Sequence, residues 1–150
     1  MNKIVVTGGA GFIGINLVNS LIKKKKYKIF VLDALKYSSN KTDIKKIKEI
    51  TFYKLDITDI TKLKKVLNLI EPDIVFHLAA ESHVDRSIDE PLNFINTNIN
   101  GTYNLLQTLN KYYSTLTKRK KINFKFIHIS TDEVFGDVIK GRSVEKDPYI

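Results

Sequence analysis

The 150-residue chain carries 25 Lys and Arg against 16 Asp and Glu, a formal net charge of +9, with 43% hydrophobic residues and no cysteine. That balance suits one soluble globular domain with a sizeable core and excludes disulfide and thiolate chemistry. No apolar run reaches the about 18 residues of a membrane span, and Arg occurs only at Arg86, Arg119 and Arg142, whereas base and phosphate readers lean on Arg. Neither a nucleic acid nor a membrane is therefore an expected partner.

The first predicted element is a strand at Ile4-Val5-Val6, so early that it leaves no room for a signal peptide and makes the cytoplasm the expected location. Thr7-Gly8-Gly9-Ala10-Gly11-Phe12-Ile13-Gly14 follows as a glycine turn. After it, Ile13, Leu17, Val18 and Leu21 recur at helical spacing. Strand, glycine turn and helix in that order form the context in which glycines at this spacing point to a dinucleotide. Small residues let the backbone approach a pyrophosphate, and the helix start offers it unpaired N–H groups. Two frames fit, one starting at Gly8 and one at Gly9, both ending at Gly14.

Tyr27 to Asp33 reads as the second strand, after the basic run Lys23 to Lys26. Asp33 lies nineteen positions beyond Gly14, close to the ~20 at which this fold sets a carboxylate on the adenosine ribose. An acid there repels a 2′-phosphate, which favours NAD over NADP. A short Lys-rich helix is predicted near Asp43 to Lys48 and a third strand over Ile50 to Leu55, ending at Asp56-Ile57. Thr58 or Asp59 caps the next helix, whose buried stripe is Ile60, Leu63, Leu67 and Ile70. Pro72 stops it, and Asp73 to Ala80 reads as a doubly covered fourth strand with His77 as a packed core histidine.

Pro91 opens a long helix with Ile95, Ile99, Thr102, Leu106, Leu109 and Tyr113 predicted on one face. Gly101 in its middle implies the close approach of a backbone or a ligand. Lys118-Arg119-Lys120-Lys121 then precedes a fifth strand, Phe124 to Ile129, which opens into Ser130-Thr131-Asp132-Glu133. The alternation predicts an α/β fold with a doubly wound parallel sheet of Rossmann type. The glycine turn, Asp33, Asp56, Ala80 to Ser87 and Thr131 to Glu133 all follow strands and so share the ligand-binding edge. The two basic runs fall on the opposite edge as solvated loops and helix ends.

Thr7-Gly8-x-x-Gly11-x-x-Gly14, with His77-Leu78-Ala79-Ala80-Glu81-Ser82-His83-Val84-Asp85-Arg86-Ser87 and Ser130-Thr131-Asp132-Glu133-Val134, resembles the extended short-chain dehydrogenases. More narrowly, these residues resemble the nucleotide-sugar 4,6-dehydratases, and among them the dTDP-glucose 4,6-dehydratase family. The resemblance implies an NAD-dependent lyase of deoxysugar synthesis, with NAD as cofactor, dTDP-glucose as substrate, no metal, and a homodimer for the full-length family. It places Gly8, Gly11 and Gly14 in the cofactor turn and Phe12 and Ile13 over the pyrophosphate. Asp33, Ala34, Leu35 and Lys36 would hold the adenosine ribose, and Asp56 and Ile57 would meet the adenine. Leu78, Ala79, Ala80, Glu81 and Ser82 would line the cofactor, with Thr97 reaching it from the helix; Ser82 and Thr131 would also touch the sugar nucleotide.

In the reaction the resemblance implies, C4 of the sugar is oxidised, water is eliminated across C5–C6, and the hydride returns to C6. Glu133 matches the base at C5, Asp132 the acid at the 6-hydroxyl, and Thr131 the partner of the 4-hydroxyl. Ile15 and Phe135 depart from the family's Ser and Tyr. No Tyr-x-x-x-Lys pair follows the Thr-Asp-Glu stretch. Residues 1–150 are therefore expected to form the NAD-binding Rossmann domain, incomplete at its C-terminal side and inactive alone, with further strands and the substrate lobe lying beyond. Another nucleotide-sugar dehydratase, epimerase or decarboxylase, or a non-catalytic NAD-binding module, are the alternatives.

Overall fold

Alternating apolar residues in the first two strands divide the molecule into two cores. In β1 (Asn2–Thr7) and β2 (Tyr27–Asp33), Ile4, Val6, Ile29 and Val31 face one way and Val5, Phe30 and Leu32 the other, the period of two that a strand imposes. The computed structural model, which describes residues 1–138 and 140–150, covers both faces with helices. Helices α1 (Phe12–Lys23) and α2 (Lys41–Lys46) bring Val18 and Ile44 onto the first face. α3 (Ile60–Ile70) brings Leu63, Leu67 and Ile70 onto the second, as its sequence stripe predicted, with Asp59 as the cap, accepting from the Lys62 N–H at 3.0 Å.

The sheet is completed by β3 (Ile50–Lys54), β4 (Ile74–His77) and β5 (Lys125–His128). All pairs are parallel, in the order β3-β2-β1-β4-β5. The chain winds outward from β1 through β2 to β3, then returns to the other side of β1. The strand order therefore reverses between β1 and β4, where a doubly wound sheet opens a crevice at its carboxyl edge.

Several predicted elements differ in extent. β4 ends at His77 rather than Ala80, because Leu78 to Ala80 leave the sheet to pass over the glycine turn. Its predicted first residue, Asp73, instead accepts the Lys3 N–H at 2.8 Å through its carboxylate. The run Lys118 to Lys121 is no loop but the start of α7 (Lys118–Asn123), capped by Thr117. The stretch after Ser82 forms α4 (Val84–Asp89), a short helix with no buried residue. Ile13 is 62% exposed and lies off the buried face of α1, whereas Ile15, where the resembled family has Ser, packs on the first core.

The long predicted helix is a composite. α5 (Pro91–Phe94), with Pro91 in the first turn, runs through a π-helical segment (Ile95–Gly101) into α6 (Thr102–Thr115). The wider i→i+5 turn shifts the phase of everything after it. Thr97, Gly101, Leu105, Thr108 and Leu109 are buried, while Ile95, Ile99, Leu106 and Tyr113, which the sequence placed on one face with Leu109, are exposed. Gly101 meets a side chain rather than a backbone or ligand, since a Cβ there would lie 2.6 Å from Cγ1 of Ile57. No helix among the described residues is long and apolar enough to cross a membrane.

Candidate cofactor and substrate cleft

Gly8 leaves β1 at φ +69°, and a Cβ on it would sit 2.6 Å from the Ala79 nitrogen. Only glycine allows the turn after β1 and the loop after β4 to pass so closely. Gly14 is equally constrained, because a Cβ there would collide with the Gly8 carbonyl oxygen. The turn delivers the chain to α1, whose N-cap, Gly11, makes no side-chain bond and whose first turn carries no acidic residue. The helix thus presents free N–H groups and the positive end of its dipole to the cleft.

Asp33, at the end of β2, is buried and accepts three hydrogen bonds. Its carboxylate accepts from the N–H of Ala10 at 2.9 Å, the N–H of Leu35 at 2.8 Å and the hydroxyl of Ser39 at 2.8 Å. It therefore fixes the glycine turn and the following loop to each other. Leu35 adopts φ +56° and packs on the first core, so of the predicted ribose-holding residues it alone lines neither cavity of the cleft.

A recess of about 80 Å³ lies beside Asp33 and is lined by Gly8, Gly11, Ala34, Lys36, Asp56, Ile57, Leu78 to Glu81 and Thr97. Asn104 of α6 positions its Asp56 wall, donating to the carbonyls of Ile57 at 3.4 Å and Thr58 at 3.2 Å. Burial works to raise the Asp56 pKa. The N–H and hydroxyl of Thr58 and the Lys36 ammonium outweigh it and hold the carboxyl below its ordinary value.

The recess opens into a larger cavity of about 730 Å³, reached by Phe12, Ile13, Gly14, Ser82, Thr131 and Glu133. Thr131 caps a single 3-10 turn, Asp132–Phe135, at the end of β5. Its hydroxyl oxygen accepts from the Glu133 N–H at 3.4 Å and its hydroxyl donates to Asp132 Oδ1 at 3.4 Å, both long contacts. Asp132 begins the same turn between Thr131 and Glu133 but is not among the residues lining the cavity. Phe135, where the resembled family has Tyr, packs at a tilt against Tyr149, 5.5 Å between ring centroids. One Tyr-x-x-x-Lys spacing does occur, Tyr37 to Lys41, but Tyr37 lies in the loop after β2 and Lys41 begins α2, so no helical turn brings the two onto one face.

His77 is a buried residue of β4 in the wall of the larger cavity. Thr7 Oγ1 bonds its Nδ1 at 2.7 Å and Thr102 Oγ1 bonds its Nε2 at 3.0 Å. Burial, then the charge of His128, pulls its pKa down to about 4. The neutral ring links β1, β4 and α6 directly below the Gly8–Ala79 contact.

Sequence reasoning missed three groups. Ser39 reaches Asp33. The Asn98 amide accepts from the Glu81 N–H at 2.8 Å and donates to the Glu81 carbonyl at 2.9 Å. Arg86 of α4 lies 3.9 Å from the centroid of the Tyr37 ring, tying α4 to the loop after β2. The asparagine-rich stretch Asn93 to Asn100, poor in helix propensity, was the available signal for an irregular segment there.

Comparison with known proteins agrees with this arrangement. The sequence model of the family described as GDP-mannose 4,6 dehydratase matches residues 5–150. The dTDP-glucose 4,6-dehydratase of Salmonella typhimurium is 47% identical over 146 residues, covering 95% of this chain and 40% of that enzyme. Among solved structures, the Streptomyces venezuelae dTDP-glucose 4,6-dehydratase with NAD bound superposes with a TM-score of 0.82 at 34% identity, over 99% of this chain and 45% of that one. The Thermus thermophilus UDP-glucose 4-epimerase complex with NAD gives a TM-score of 0.81 at 28% identity, over 99% and 44%. The chain thus spans less than half the length of these relatives. By sequence, sheet order and cleft, it belongs to the GDP-mannose 4,6-dehydratase family.

Proposed function

We propose that the chain is the NAD-binding portion of a nucleotide-sugar 4,6-dehydratase that acts on dTDP-glucose. The observation that carries this reading is a single sheet edge on which the glycine turn, Asp33, the Ala79 loop and the Thr131–Glu133 turn surround two joined cavities. The cradle fits a dinucleotide: its tight turn has no room for a Cβ at Gly8 or Gly14, and the uncapped α1 start suits a pyrophosphate. Gly8, Gly11, Phe12, Ile13 and Gly14 would hold the pyrophosphate. Asp33, Ala34, Leu35 and Lys36 would serve the ribose, Asp56 and Ile57 the adenine, and Leu78 to Ser82 with Thr97 the remaining wall. When bound, NAD supplies reversible two-electron oxidation of the sugar.

The base that takes the 4-hydroxyl proton as C4 is oxidised is not among the residues assigned a role; positioning of the sugar and the elimination fall to the chain's own groups. Thr131 hydrogen-bonds the 4-hydroxyl and, with Ser82, orients the sugar nucleotide. A carbonyl at C4 acidifies the C5 proton, which the Glu133 carboxylate removes. The electron pair left at C5 forms the C5–C6 double bond as the Asp132 carboxyl protonates the departing 6-hydroxyl, releasing one water. Reduction at C6 and return of the proton to C5 from Glu133 leave a 4-keto-6-deoxy sugar. The exposed stripe of Leu92, Ile95, Ile99, Tyr103 and Leu106 supports a homodimer of the intact protein through this helix, which a monomeric mass in light scattering would contradict.

Incubation of the intact protein with dTDP-, UDP- and GDP-glucose tests the reading, with products weighed by mass spectrometry. dTDP-glucose is expected to lose the mass of one water without consuming NAD. Glu133→Gln is expected to keep NAD but slow conversion by about a hundredfold or more. Likeness to the epimerase supports a second reading, epimerisation of a UDP-sugar; an isomeric product of unchanged mass would favour it and refute dehydration.

A further inference from the structure

The smaller recess is ringed by three carboxylates, Asp33, Asp56 and Glu81, and a single cation, Lys36. Asp33 is held by Ala10, Leu35 and Ser39. The other two carboxylates converge on Lys36. Its ammonium donates to the Thr97 hydroxyl at 2.9 Å, lies 3.2 Å from Glu81 Oε1 and 3.6 Å from Asp56 Oδ2. These partners come from three separate elements: the π segment, the loop after β4 and the loop after β3. Lys36 itself sits in the loop after β2, so one side chain joins all four walls of the recess.

Glu81 is the buried member of this set, its side chain 6% exposed against 35% for Lys36 and 33% for Asp56. Its backbone is clamped in both directions by the Asn98 amide. A carboxylate so fixed and so dry needs its counter-charge, because breaking a buried pair leaves the other charge uncompensated.

We propose that Lys36 is a positioning residue whose ammonium, anchored on Glu81, holds the loops after β2, β3 and β4 against the π segment in the arrangement that admits the adenosine end of a dinucleotide. Glu81 serves as its anchor rather than as a cofactor contact. The proposal rests on the NAD reading above and deepens it, since resemblance alone makes both residues direct contacts.

The test is NAD titration of the wild-type chain and of Lys36→Met, Lys36→Gln, Glu81→Gln and the Lys36→Met/Glu81→Gln double variant, followed by NMR, with urea melts to establish folding. Lys36→Met is expected to weaken NAD by about tenfold or more, since it strands the Glu81 charge. The double variant removes that charge and is expected to bind NAD more tightly than Lys36→Met, the remaining loss being that of the ammonium's bridges to Thr97 and Asp56. A residue acting by direct contact would not be rescued in this way. Should Lys36→Met fail to fold, Lys36→Gln and the double variant carry the same comparison. Wild-type binding by Lys36→Met, or a double variant no better than the single, would overturn the proposal and leave the NAD reading standing. Absence of NAD binding by the wild-type chain would overturn both.

Discussion

At the scale of single residues, His77 shows how a buried titratable group can form part of the frame of the site. Both ring nitrogens are partnered by hydroxyls, which can donate or accept, so burial rather than a lost hydrogen bond disfavours the charged ring. With a folded pKa of about 4 against an ordinary 6.5, the unfolded chain binds more protons between these values. Stability from this residue is therefore complete above pH 6.5 and declines as the pH falls towards 4, by roughly 3 kcal/mol in all. Urea melts across that window are expected to show a steeper loss for the wild type than for His77→Gln. Equal pH slopes would contradict this account. The sequence showed His77 as a core residue because it stands in an apolar strand. It did not show the Thr102 contact, which joins positions 25 apart through folding alone. Asp33 was legible for the same kind of reason, its distance from the glycine turn, whereas its capture of Ala10 and Ser39 required the loop to close.

At the scale of elements, the sequence was most readable where one regular period governs a segment. α3 buries Leu63, Leu67 and Ile70 of its predicted stripe, with Ile60 half-buried, and is capped by Asp59, one of its two candidates; β1 and β2 form where their apolar runs predicted strands. The helical region from Pro91 failed this reading because the π segment interrupts its period. The same irregularity sets adjacent Thr97 and Asn98 to work on opposite sides of Glu81, one on its ion-pair partner and one on its backbone. The corrected phase makes a sharp forecast. Leu105→Ala is expected to cost about 2–5 kcal/mol in urea denaturation, whereas Leu106→Ala is expected to change stability by less than about 1 kcal/mol. Comparable losses at both positions would mean that the original stripe was right.

At the scale of the whole molecule, reversal of strand order between β1 and β4 explains why residues scattered from Gly8 to Glu133 share one cleft. The sequence made this legible through the alternation of strands and helices, since a parallel sheet sends every post-strand loop to the same edge. The recess walls were less legible, because Lys36, Asp56, Glu81 and Thr97 meet only across four different elements. The basic runs, which give the chain its excess charge, lie at the opposite edge in the turn before β2 and in α7. The most direct measurement is therefore an NAD titration of the isotopically labelled chain, followed by backbone amide shifts. The account predicts saturable shifts centred on Gly8 to Gly14, Asp33, Ala79 to Ser82 and Thr97. Shifts confined to the Lys118–Asn123 helix, or none at any NAD concentration, would contradict it.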